Sequence, residues 1–128
     1  MILLIDDDPD ILAFITNVLV PLEYEIVEVK SMEDGLKIYQ EVQPKLVITD
    51  IILPGKNGFQ VIDEIRRINK EVPIIAMTGN LHGRADAYLL MCKNLGANLV
   101  MYKPLTVEKL AAAVTTLYPT EGERQAER

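Results

Sequence analysis

The chain reads as an α/β domain, a doubly wound parallel sheet of five strands with helices on both faces. Three observations carry that reading. Strand and helix signals alternate five times along 128 residues, the pattern of a parallel sheet with right-handed crossovers. Four of the five strand candidates are nearly continuous apolar runs, as expected of strands covered on both faces. Each of those four runs also leads into a polar residue. Ile2–Ile5 leads into Asp6-Asp7-Asp8, Leu46–Thr49 into Asp50, Pro73–Met77 into Thr78, and Leu99–Tyr102 into Lys103. In an open parallel sheet those ends share the carboxyl edge, where such folds bind ligands.

The strand candidates are residues 2–6, 25–29, 46–50, 73–77 and 99–102. Glu25-Ile26-Val27-Glu28-Val29 mixes charge with β-branched residues, which suits an edge strand. The helices between them have identifiable starts. Asp8 caps the first, Pro9 fits its first turn, and Ile11, Leu12, Ile15, Val18 and Leu19 form one apolar face. Ser31 with Asp34 opens a second helix, which ends before Pro44. Asn57 is the expected cap of a third, with Phe59, Ile62, Ile65 and Ile68 at helical spacing. Ala85, Tyr88, Leu89, Cys92 and Leu95 define a fourth, closed by Gly96. Thr106 caps a fifth, carrying Val107, Leu110, Val114 and Leu117. Residues 1–118 are expected to form one domain, and the polar stretch 119–128 a disordered tail.

Composition narrows the function classes. A net charge of −6, with basic residues scattered, argues against direct nucleic-acid binding by this domain. The single cysteine, Cys92, excludes an intrachain disulfide and falls within an apolar helical pattern, so a buried, inert thiol is expected. No apolar stretch approaches the ~18 residues of a membrane span, and no secretory leader opens the chain, so the expected location is the cytoplasm.

The strand ends place carboxylates, a hydroxyl and an ammonium around one crevice. Two of Asp6, Asp7 and Asp8, with Asp50, would supply the hard oxygen ligands that Mg²⁺ prefers. Crowded carboxylates raise one another's pKa, and a divalent cation relieves the repulsion. Lys103, followed by Pro104, would pair with those carboxylates or with a phosphoryl oxygen. Each residue also has a plainer role: Asp8 as a helix cap, Thr78 as a turn hydroxyl, Lys103 as a surface lysine. Taken jointly, they describe a site for a divalent cation and a phosphoryl group.

In these residues the chain resembles the receiver domain of bacterial two-component response regulators, over residues 1 to about 118. The stretches that carry the likeness are Ile2 to Pro9, Asp50-Ile51-Ile52-Leu53-Pro54-Gly55-Lys56-Asn57-Gly58, Met77-Thr78-Gly79, Gly96-Ala97 and Tyr102-Lys103-Pro104-Leu105. The resemblance implies a flavodoxin-like (βα)5 fold with strand order 2-1-3-4-5. It implies that Asp50 is the phosphoacceptor, that Asp7 ligates Mg²⁺ directly, and that Asp6 helps through water. The backbone carbonyl of Ile52 would complete the protein ligands, while Thr78 and Lys103 bind the phosphoryl oxygens. The expected donor is a phosphohistidine on a sensor histidine kinase or phosphotransfer protein. The output would be a changed interaction surface for a downstream target or an attached output domain, not a released product. A homodimer through the fourth and fifth helices is a further expectation.

The chain departs from the family pattern in three places. Val100 stands where an aromatic residue is usual, with Tyr102 on the same strand face. The segment from Thr78 to Gly96 is about three residues longer than expected, the excess falling around Asn80 to Gly83. That stretch holds the only histidine, His82, which reads as a solvent-exposed loop residue. Ile52, two residues past Asp50, offers an incoming water no hydrogen bond, so unassisted hydrolysis is expected. Two other classes compete. Asp6-x-Asp8 resembles the nucleophile motif of haloacid dehalogenase phosphohydrolases, although a late acidic metal motif is missing. A receiver fold serving only as a docking module is the other.

Overall fold

Side-chain alternation along the central strands sorts the core into two layers. In the computed structural model, Leu3, Ile5, Val47, Ile74 and Ala76 lie on one side of the sheet, and Ile2, Leu4, Ile48, Ile75 and Met77 on the other. The structure describes residues 1–53, 56–79, 85–120 and 122. The elements run β1 (Ile2–Ile5), α1 (Pro9–Leu19), β2 (Ile26–Val29), α2 (Met32–Val42), β3 (Leu46–Asp50), β4 (Ile52–Leu53), β5 (Lys56–Asn57), α3 (Phe59–Ile68), β6 (Ile74–Thr78), α4 (Ala85–Leu95), β7 (Leu99–Tyr102) and α5 (Val107–Leu117). A 3₁₀ turn, Val20–Leu22, follows α1.

The main sheet is parallel throughout, in the order β2-β1-β3-β6-β7. With the short β4–β5 hairpin set aside, that is the flavodoxin-like order 2-1-3-4-5. Helices α1 and α5 cover one face through Leu12, Ile15, Leu19, Leu110 and Val114. The other face is covered by α2, α3 and α4, through Met32, Tyr39, Val61, Ile62, Ile65 and Cys92. Burying those side chains gives about 1.5–3 kcal/mol each, which makes the two layers the main source of stability. Cys92 is fully buried, and burial pushes its thiol up to about 11, which keeps it unreactive.

The caps follow the sequence with one exception. Ser31 accepts from the Asp34 N–H and Thr106 from the Lys109 N–H. Gly96 closes α4 with φ +111, the left-handed region that glycine enters at least cost. The N-cap of α3, however, is Gly58 rather than Asn57, which pairs with Ile52 in the β4–β5 hairpin. Gly58 N–H bonds the Ile51 carbonyl at 2.7 Å, so this turn closes on main chain and the helix starts one residue later.

β7 is the second edge of the sheet, as the order 2-1-3-4-5 requires, half-buried over Leu99 to Met101 and with Tyr102 41% exposed. Its apolar run packs on both layers, Val100 on one and Leu99 and Met101 on the other. Arg66 braces the opposite end of this region. Its guanidinium donates to the carbonyls of Gly96, Asn69 and Val72 and to Asn98 Oδ1, at 2.7 to 3.2 Å. It ties the end of α3 to the turns that lead into β6 and β7.

Candidate functional site

The carboxyl ends of β1, β3, β6 and β7 bring Asp6, Asp50, Thr78 and Lys103 to one edge of the sheet. Asp50 ends β3, opposite Met77 of β6 in the parallel register, while Thr78 sits opposite Tyr102 of β7. Lys103 N–H bonds the Thr78 carbonyl at 2.8 Å, which fixes the chain just before Pro104. From there the Lys103 side chain reaches back across the sheet end. Its Nζ donates to Asp6 Oδ2 at 3.0 Å and to Asp50 Oδ2 at 2.9 Å.

Each carboxylate is held at its other oxygen by backbone. Ile52 N–H donates to Asp50 Oδ1 at 3.0 Å, and Asp8 N–H to Asp6 Oδ1 at 2.9 Å. Asp6 is fully buried and Asp50 5% exposed, whereas Asp7 is exposed. Carboxylate oxygens of Asp6, Asp7 and Asp50 all lie within 4.8 Å of one another. Asp8 is not in that group, because its own carboxylate turns away to cap α1 on the Asp10 N–H.

The electrostatics follow from burial and proximity. Desolvation raises the Asp50 pKa most strongly, and Asp6 adds to it. The Ile52 N–H and Lys103 oppose them without prevailing. Lys103 moves up from its ordinary value as well. Burial works against its charge, but the hydrogen bonds and charges of Asp50 and Asp6 outweigh that penalty. Three carboxylates face one ammonium, so the cluster carries an excess of negative charge.

This donor set suits a small divalent cation. It consists of hard oxygens, with Asp7 on an open side where water can complete the shell that Mg²⁺ prefers to keep. A carboxylate oxygen has two acceptor sites, so those already bonded to Lys103 or to an N–H can still face a cation.

Thr78 is fully buried, and its hydroxyl donates to the Gly79 carbonyl at 2.9 Å. In this arrangement it is a satisfied turn hydroxyl, turned toward main chain. Ile52 is 38% exposed beside Asp50. Val100 is half-buried against α4's side of the core, and Tyr102 extends to solvent. His82 and the extra residues around Asn80 to Gly83 lie outside the described residues, as do Pro54 and Gly55.

Gly58 is a site residue to which the sequence reading gave no role. A Cβ there would lie 2.3 Å from the Asp50 carbonyl oxygen and 2.4 Å from Ile51 Cα. The signal available was a glycine directly before a helical pattern and eight residues past Asp50.

Fold and site together define a flavodoxin-like α/β domain with an acidic, lysine-bridged cluster at the carboxyl edge of its sheet. The chain belongs to the response regulator receiver domain family, whose model matches residues 2–115. It is 32% identical over 125 residues to the transcriptional regulatory protein AfsQ1 of Streptomyces coelicolor, covering 98% of this chain and 53% of AfsQ1. The chain thus spans about half of that relative. Among solved structures, the receiver domain of NtrX from Brucella abortus superposes with a TM-score of 0.84 at 25% identity, covering 91% of this chain and 97% of that one. A receiver domain protein from Clostridium thermocellum gives 0.83 at 29% identity, covering 99% and 98%. Receiver membership, rather than the phosphohydrolase likeness, accounts for the Asp6-x-Asp8 pair.

Proposed function

We propose that residues 1–118 are a phosphorylation-dependent switch in which Asp50 accepts a phosphoryl group from a phosphohistidine. The observation that carries this reading is Lys103 bridging Asp50 and Asp6, with the exposed Asp7 carboxylate beside them. An Asp50 carboxylate oxygen attacks phosphorus in line as the P–N bond to the imidazole breaks. The electron pair leaves with the ring nitrogen, and Asp50 becomes an acyl phosphate. Asp7, Asp50 and the Ile52 carbonyl, with Asp6 behind them, would hold Mg²⁺, which when bound would supply charge neutralisation at the transferring group.

This chain's residues do the rest. Lys103 stands within reach of both carboxylates and transfers its hydrogen bonds to phosphoryl oxygens. Thr78 exchanges its bond to the Gly79 carbonyl for one to the same group, which releases Gly79. Thr78 and Lys103, at the ends of β6 and β7, would carry the change toward the surface. A downstream protein or an attached output domain reads it; AfsQ1, a transcriptional regulatory protein, extends well beyond the segment that matches this chain.

Intact-mass measurement after incubation with Mg²⁺ and acetyl phosphate tests the reading. One added phosphoryl group is expected, lost in Asp50→Asn and in a chelated sample. A folded, Mg²⁺-binding protein that neither gains the group nor consumes the donor would mark a docking module instead. A related expectation concerns the lifetime of the product. Ile52 gives water no hydrogen-bonding partner beside Asp50, so Ile52→Asn should hasten phosphate loss. A lifetime unmoved by that substitution counts against a role for this position.

A further inference from the structure

We propose that Asp8 is a positioning residue for the cation site, setting Asp6 through its backbone rather than through its charge. The inference rests on the reading of Asp6, Asp7 and Asp50 as a Mg²⁺ site. Pro9 opens α1 without an N–H, so the first donor that needs a partner is that of Asp10. Asp8 Oδ1 takes it at 2.9 Å, and the Asp8 carbonyl accepts from the Leu12 N–H at 3.1 Å. Side chain and carbonyl are both fastened to the helix. That holds Asp8 extended, at φ −89 and ψ 112, with its own N–H aimed back at Asp6 Oδ1, 2.9 Å away.

Asp6 needs that donor. It is fully buried, and its other oxygen is taken by Lys103 at 3.0 Å. Held from both sides, the carboxylate has one orientation, and Lys103 has a fixed anchor beside Asp50. Without the cap, residue 8 keeps only its carbonyl bond to the Leu12 N–H, and the aim of its own N–H at Asp6 loosens. The Asp8 carboxylate itself is turned to the helix end and stands apart from the three that face one another. Its contribution is therefore geometric, comparable to the outer-shell partners that orient metal ligands.

The test separates geometry from charge. Mg²⁺ titration and amide hydrogen exchange at residue 8 are measured for the wild type, Asp8→Ala, Asp8→Asn and Ser31→Ala. Asn caps as well as Asp but is neutral, and Ser31→Ala removes an equivalent cap from α2. Asp8→Ala is expected to weaken Mg²⁺ binding about tenfold, the low end for loss of an outer-shell partner. It should also speed exchange of the residue 8 amide. Asp8→Asn should match the wild type in both readouts, and Ser31→Ala should lose stability while keeping Mg²⁺ affinity.

Equal weakening by Asp8→Asn and Asp8→Ala would overturn the proposal, since charge alone would then explain it. So would weakening by Ser31→Ala, or an Asp8→Ala protein unchanged in both readouts. Should the wild type bind no Mg²⁺, the cation reading itself fails, and exchange decides alone. Protection in wild type and Asp8→Asn but not Asp8→Ala supports positioning by the cap; equal rates refute it.

Discussion

Gly58→Ala is expected to destabilise the domain by about 3 kcal/mol, the upper end for overpacking. The backbone at Gly58 is ordinary, φ −71 and ψ −7, so the glycine is required by space rather than by conformation. The added carbon would meet the Asp50 carbonyl oxygen at 2.3 Å, Ile51 Cα at 2.4 Å and the Ile51 carbonyl carbon at 2.9 Å. All three are main-chain atoms, which no rotamer change can move aside. The turn must open, and the 2.7 Å bond from Gly58 N–H to the Ile51 carbonyl opens with it. Because the displaced atoms belong to Asp50 and its neighbour, phosphoryl uptake should fall together with stability. Urea unfolding beside the intact-mass assay checks both, and a loss under about 1 kcal/mol would show that the turn yields easily.

Lys103→Met should cost about 3 kcal/mol in metal-free protein, the lower bound for breaking a buried ion pair, because Lys103 keeps some solvent access. The substitution leaves Asp6 and Asp50 buried without the cation between them. Mg²⁺ should narrow the deficit, because loss of the Lys103 ammonium frees Asp6 and Asp50 to bind the cation more tightly than in the wild type, and stabilisation by a ligand grows with its affinity. Thermal unfolding with chelator and with Mg²⁺ measures the difference. A deficit unaffected by Mg²⁺ would count against a shared site.

Asp50→Asn should move stability the other way in chelator. A carboxyl whose pKa is raised by folding contributes stability below its unfolded value, about 3.9, and loses it as pH rises through the folded value. At neutral pH the ionised Asp50 is therefore a cost, which the amide removes. The advantage of the variant should shrink as pH falls toward the ordinary carboxylate range. Lys103, also raised, stays charged in the folded and unfolded chain alike below about pH 10.4, so it adds no pH dependence over that window.

Much of this was legible in the sequence because burial on two faces leaves a run without polar interruption. Ile2–Ile5, Leu46–Asp50 and Ile74–Thr78 are fully buried strands for that reason. The same signal does not by itself mark β7 as an edge strand, since an apolar run packs on both layers whether it has one neighbouring strand or two. Asn57 was a plausible cap by residue type. The true start at Gly58 depends on how closely two main-chain segments approach, and no side-chain pattern encodes that distance. The site residues could be named from the strand ends. Which oxygen faces Lys103, and which is held by a backbone N–H, emerges only when the strands are side by side. Asp8 shows the limit well: its capping role was readable, whereas the direction of its own N–H was not.

Arg66 bears on how this sequence can change over time. Three of its four acceptors are main-chain carbonyls, at Gly96, Asn69 and Val72, and the fourth is the Asn98 side chain. A joint written chiefly in backbone atoms places few demands on the identity of the residues it joins. At position 72 the guanidinium reads only a carbonyl, so what limits that residue is the place of its side chain in the core, not Arg66. Gly96 is the exception, because any side chain on it would run into Arg66 itself, at 2.8 Å from Nε. Arg66 and Gly96 thus fix each other at the end of the sheet opposite the carboxylate cluster, and a change at either calls for a change at its partner.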